Sequence, residues 1–138
     1  MKIKATATDN VTELLVKILE FTRTRRHIIT ENINNAKKPG FVPRDLPIEE
    51  FSKTLHVAVD EHVNNGRLVF QDSDNIRFGF AGSIELKPVT DHYAKDLFET
   101  NMDEYLEFQV NKLLENSMNE KLAAELVKQK NGAQFFLE

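Results

Sequence analysis

Four histidines, at positions 27, 56, 62 and 92, are the side chains of this 138-residue sequence best suited to hold a metal or move a proton near neutral pH. His56 and His62 are six residues apart, which on a helix sets them about 240° apart around the axis, too far round to share an ion. The carboxylate neighbours Glu49 and Glu50, Asp60 and Glu61, and Asp103 and Glu104 point to different sides of whatever element carries them, whereas general acid–base work needs two converging side chains in a cleft. They suit solvated helix faces and first turns, where the helix dipole favours negative charge. There is no phosphate-cradling glycine loop, no nucleophile elbow and no metal-binding helix motif. With no cysteine, thiolate metal sites, disulfides and cysteine nucleophiles are excluded. The sequence therefore designates no catalytic residue, no metal site and no cofactor, and the expectation is a protein that is not an enzyme.

The residues that do ask for an explanation are polar ones in apolar company. In HIITENINNAKKPGF, residues 27 to 41, asparagines stand at 32, 34 and 35 where a helix with isoleucines at 28, 29 and 33 would close its apolar face. Asparagine is poor inside helices because its side chain competes for backbone hydrogen bonds. A helix C-terminus explains Asn35, since asparagine tolerates the left-handed conformation, Lys37 and Lys38 suit the negative helix end, and Pro39 with Gly40 ends the helix. It does not explain Asn32, a full turn inside. An asparagine within an apolar stripe acts as a register device between packed helices. Thr22, Arg25 and Asn32 read as polar breaks of this kind, specifying partner and register.

The elements that must position these residues are mainly α-helical. Asn10 with Glu13 fits a capping box, and residues recur at helical spacing through Val11, Leu14, Leu15, Ile18, Phe21 or Thr22, Ile28 or Ile29, Ile33 and Ala36. This predicts a helix of about 27 residues, ~40 Å long. Asn101 with Glu104 caps a second, carrying Met102, Leu106, Val110, Leu113, Leu114, Met118, Leu122 and Leu126, with Gly132 as its stop. Between them Pro39, Pro43 and Pro47 impose an extended linker, and Pro47 opens a shorter helix with Phe51, Leu55, Ala58, Val59 and His62 on one side. Ile76, Phe78 and Phe80 alternate as in a small hairpin with its turn at Asp72 to Asn75, and residues 81 to 100 read mostly as linker. The predicted organisation is a single chain in which residues 10–37 and 101–130 form a helical assembly domain, the amphipathic helices pairing in a coiled-coil-like way. Residues 38–100 supply linker, short helix and an irregular or hairpin segment.

Composition agrees with an assembling subunit. The apolar fraction of 41% and charged fraction of 29% are ordinary for a folded domain. No apolar run reaches the roughly 20 residues of a membrane span, and the N-terminus lacks the apolar core of a cleavable secretion signal. Residues 1 to 40 carry a net charge of +4 and the remainder −8, an asymmetry that favours association of unlike surfaces. TRTRRH is a single short basic cluster without interleaved aromatics, so no nucleic-acid partner is expected.

The stretch RRHIITENINNAKKPGFVPRD resembles the N-terminal signature of the bacterial flagellar basal-body rod proteins, which run N-I-x-N, a short spacer, T-P-G-Y and, in the short proximal type, A-R-D. The matching positions are Arg26, His27, Asn32, Ile33, Asn35, Pro39, Gly40, Arg44 and Asp45; Phe41 stands for the tyrosine, Lys38 for the threonine and Pro43 for the alanine. NMDEYLEFQVNKLLENSMNEKLAAEL resembles the family's C-terminal helix through Asn101, Asp103, Leu113 and Asn116, without the tyrosine that follows. The likeness covers residues 10 to 47 and 101 to 130.

What this resemblance implies is a structural subunit of the proximal rod, exported without a cleaved signal and assembled in the periplasmic part of the flagellar basal body. Its partners would be other rod and basal-body proteins and further copies of itself. The terminal helices would be wholly or partly disordered before assembly. Under that reading Leu14, Leu15, Ile18, Ile29 and Ile33 form a seam with Leu106, Val110, Leu113 and Leu126, while Arg25, Asn32, Asn35, Pro39, Gly40 and Asn116 set its register. The competing expectation is a cytoplasmic helical adaptor or export-chaperone-like dimer, which has no need of the PGF turn followed by VPRD.

Overall fold

Four helices and two short antiparallel strand pairs make up the described residues, 9 to 79 and 82 to 137, of the computed structural model, with side chains described as far as residue 130. Phe80, which the hairpin pattern includes, lies outside them. Helix α1 is Asn10–Asn34. Its N-cap is Asp9, whose carboxylate accepts from the Thr12 amide at 2.7 Å, one residue before the asparagine expected to cap it. Asn10 instead spans to the end of the next helix, donating to His62 Nδ1 at 2.9 Å and to the Gly66 carbonyl at 3.3 Å. At the other end Asn35 is not left-handed, with φ −98°. Its side-chain Nδ2 donates back to the Glu31 carbonyl at 2.8 Å. The left-handed residue that turns the chain is Gly40, φ 78°.

Strand β1 (Arg44–Asp45) follows, then α2 (Ile48–Asn65) behind Pro47. On α2, Phe51, Thr54 and Ala58 are buried, whereas Val59, expected on the same face, is largely exposed. Strand β2 (Ile76–Phe78) pairs with β3 (Ile84–Leu86) in the register Ile76 to Leu86. The hairpin therefore turns between Phe78 and Ile84, where Gly82 takes φ 78°, and not at Asp72 to Asn75. Those residues form a bend tied to α2: Glu50 accepts from Ser73 Oγ, from the Asn75 amide at 3.0 Å and from Asn75 Nδ2 at 2.6 Å.

Residues 84 to 100 are more ordered than a linker. Strand β4 (Val89–Thr90) pairs antiparallel with β1, Arg44 opposite Thr90, and α3 (His92–Thr100) starts behind Asp91, whose carboxylate accepts from the Ala94 amide at 3.0 Å. A single residue, Asn101, breaks the path before α4 (Met102–Leu137), which it caps through the Glu104 amide at 3.1 Å. Helix α4 runs past Gly132, so that glycine does not stop it.

The apolar core lies beside the long helices. Phe21 and Ile28 of α1 meet Leu46, Phe51 and Ile76, with Ile18, Leu55, Phe78, Ile84 and Leu86 around them. Phe21 and Phe51 stack with ring centroids 4.0 Å apart. The middle segment is thus a lid of one helix and a hairpin over one flank of α1, while α4 covers another flank along its length.

Candidate functional site: the polar seam and the outward row of the long helices

The contact between α1 and α4 is where the polar breaks go. Asn32 is 1% exposed. Its Nδ2 donates to the Arg44 carbonyl at 2.7 Å and to Gln109 Oε1 at 3.1 Å, and its Oδ1 accepts from the Arg44 amide at 3.2 Å. One side-chain amide so pairs both backbone groups of Arg44, as a neighbouring strand would, and fixes β1 against α1. Tyr105 of α4, fully buried, donates to the Asn32 carbonyl at 2.8 Å. Burial, with the charge of Asp91 adding to it, pushes the Tyr105 hydroxyl up to about 12, so it keeps its proton across the physiological range. About three turns further along α4, Asn116 donates to the Thr22 carbonyl at 2.8 Å.

Between these lies a four-membered charge cluster. Arg25 holds Asp45 through Nε at 2.8 Å and Nη2 at 2.9 Å, a bidentate pair. Lys112 of α4 donates to Asp45 Oδ2 at 2.8 Å and to Asp91, the cap of α3. The Leu46 amide adds a fourth donor to Asp45 at 2.7 Å. Burial alone would raise the Asp45 carboxyl; the hydrogen bonds and charges of Arg25 and Lys112 outweigh it and hold the group below its ordinary value. An Asp45 carboxylate so fully occupied has no lone pair free to act as a base. Two cations and two anions instead tie α1, β1, α3 and α4 to one point. Among the described residues, no group of three or more His, Asp or Glu is placed to hold a metal ion.

The structure thus joins the predicted residues Arg25, Asn32 and Asn116 in one seam, together with Ile29, which is fully buried. Of the other predicted apolar partners, Leu15, Ile18 and Leu126 border one groove, and none is fully buried. Leu14, Leu15, Ile18 and Ile33 are only half-buried, as are Leu106 and Leu113. Val110 and Leu126 lie at the surface, 43% and 37% exposed. The α1 to α4 seam is polar on the α4 side: Tyr105, Gln109, Lys112, Asn116 and Ala123 face inward. Their spacings of 4, 3, 4 and 7 residues are a heptad pattern. Asn35, Pro39 and Gly40 stay at the surface or half-buried around the helix end. The contributors that sequence reasoning missed are Tyr105, Gln109, Lys112 and Asp91. The signal that finds the three on α4 is that same heptad, read without regard to polarity; Asp91 is marked only as a helix cap.

Because α4 turns polar residues inward, several of its large apolar side chains point out. Leu114 is 60% exposed, Met118 71% and Leu122 60%, in a row of every fourth residue from Val110 to Leu126. The C-terminal part of the row borders an open groove of about 390 Å³ lined by Leu15, Ile18, Phe51, Leu55, Leu122 and Leu126. No protein-family model matches this chain, and no match is found among curated proteins or solved structures.

The weight of the Tyr105 contact can be tested on its own. Tyr105→Phe leaves the buried Asn32 carbonyl without its donor and is expected to lower stability by about 1 to 2 kcal/mol. Urea unfolding followed by circular dichroism measures this, and a change below about 0.5 kcal/mol would mean that the hydroxyl is not a working part of the seam.

Proposed function

We propose that this protein is a structural subunit that assembles by packing of its long helices against neighbouring subunits, in the manner of the flagellar basal-body rod proteins and at a proximal position in the rod. The observation that carries the proposal is the outward row of α4. A helix already held on one face by a hydrogen-bonded polar seam presents a second face with Leu114, Met118 and Leu122 mostly bare. A run of exposed large apolar side chains of this kind marks an interaction surface. The sequence likeness at residues 26 to 45 and 101 to 116 supports the narrower rod assignment, since the positions it covers include Asn32, Asp45 and Asn116, the residues that set how α1 and α4 lie together.

The test uses a side chain outside the fold's own contacts. Met118→Asp changes an exposed residue and is expected to shift stability by less than about 0.5 kcal/mol. In the parent bacterium carrying only this variant, the protein is expected to be made and exported but not incorporated into basal bodies, and swimming is lost. Ile29 is unsuitable for this purpose, because a charge at a fully buried site unfolds the chain. Normal motility of the Met118→Asp strain would remove the assembly role from α4.

A further inference from the structure

The outward row of α4 carries information about its own partner. Val110, Leu114, Met118 and Leu122 recur every fourth residue. Rows of this spacing run inclined to the helix axis, and two of them pack with the helices crossing at about 50°. Met118, the most exposed of the row, is flanked three residues before by Glu115 and three residues after by Lys121. At about 100° per residue these two charges fall on opposite sides of the row, roughly 60° either way. Both are exposed, and neither has an ion-pair partner among the described residues.

We propose that this row takes a second copy of the chain, the two α4 helices running in the same direction and crossing at Met118. A two-fold axis along such a pair brings the left flank of one helix against the right flank of the other. Each Glu115 then meets the Lys121 of the second copy, giving two ion pairs around an apolar centre of Leu114, Met118 and Leu122. The reversed crossing would bring like flanks together, Glu115 against Glu115 and Lys121 against Lys121, which electrostatic complementarity disfavours. The charges select both the partner, an identical helix, and its direction. This inference rests on reading the row as an assembly face, and adds who occupies it and how.

The experiment exploits the absence of cysteine from the chain. Purified Leu114→Cys and Met118→Cys proteins, oxidised mildly at increasing concentration, are each expected to give a disulfide-linked dimer with its own copy, because the parallel crossing sets 114 opposite 114 and 118 opposite 118. Sedimentation of the cysteine-free protein is expected to show a concentration-dependent dimer. Lys121→Glu weakens it by about tenfold or more, and the Glu115→Lys, Lys121→Glu double variant restores it to within about threefold of the original. Circular dichroism confirms that the variants fold. Three results overturn the pairing: a monomer at all concentrations, linkage of Leu114→Cys only to Leu122→Cys, which marks the reversed crossing, or a double variant no tighter than the single one. A monomer whose Met118→Asp variant still fails to incorporate removes self-pairing and leaves the assembly reading standing. A dimer in a protein whose Met118→Asp variant incorporates normally does the opposite.

Discussion

Asp45→Ala is expected to lose about 3 to 5 kcal/mol of stability, enough to unfold a domain of ordinary stability at 37 °C. The size follows from what the substitution leaves behind. Arg25 and Lys112 remain at sites where their side chains are 6% and 15% exposed. Lys112 keeps Asp91, but Arg25 is left with no anion. A buried cation that has lost its anion costs far more than a surface pair contributes, and the Leu46 amide loses its acceptor as well. Urea unfolding of the purified variant tests this, and a loss under about 1 kcal/mol would mean that the cluster is solvated and does not hold the elements together.

The same group makes the fold acid-sensitive. The Asp45 carboxyl is held below its ordinary 3.8 in the folded chain, so as pH falls the unfolded chain takes up a proton first. The stabilisation is complete well above 3.8 and drains away as pH drops through that value toward the folded one. In Asp45→Asn this contribution is absent at every pH. The decline in its urea midpoint on acidification is therefore expected to be shallower than that of the parent, while two parallel curves would assign the acid sensitivity to other carboxylates.

Asn32→Ala is expected to cost about 3 to 5 kcal/mol, the sum of several buried polar groups left unpaired at roughly 1 to 3 kcal/mol each. The Arg44 amide and carbonyl and Gln109 Oε1 all lose their partner at once. Asn32→Asp separates the two halves of the role. It keeps an acceptor for the Arg44 amide but faces the Arg44 carbonyl and Gln109 Oε1 with oxygen, so it is expected to be no better than alanine. Were Asn32→Asp to retain parental stability by urea unfolding, the amide would not be the device that fixes β1 to α1.

Which of these features can be read in the sequence depends on what each residue interrupts. Thr22, Arg25 and Asn32 stand out because they break an apolar stripe, and all three are buried against α4 or β1. Their counterparts do not stand out. On α4 the inward face is itself polar, and a search for an apolar seam follows Val110, Leu114, Met118 and Leu122 to the solvent side. The seam is legible on α1 and hidden on α4 for that reason. The hairpin shifts because Asp72 to Asn75 has the composition of a turn; Glu50, 25 residues before Asn75, claims that bend, and Gly82 makes the turn itself. Helix α3 has only nine residues, too few for periodicity to show, and its one clear mark is the capping residue Asp91.

The seam also determines when the chain can fold. Tyr105 reaches Asn32 across 73 residues, and Asn116 reaches Thr22 across 94. The contacts that tie α1 to α4 therefore form only once nearly the whole polypeptide is present. An isolated N-terminal stretch can pair Arg25 with Asp45 and Asn32 with Arg44 but leaves the Thr22 and Asn32 carbonyls without their α4 donors, and closing loops of this length is slow compared with forming local helix. A chain emerging N-terminus first, from a ribosome or through a narrow channel, stays pliable for most of its passage and commits to structure when residues 105 to 116 arrive. The arrangement works as a timer: the last third of the sequence decides when the first third becomes rigid.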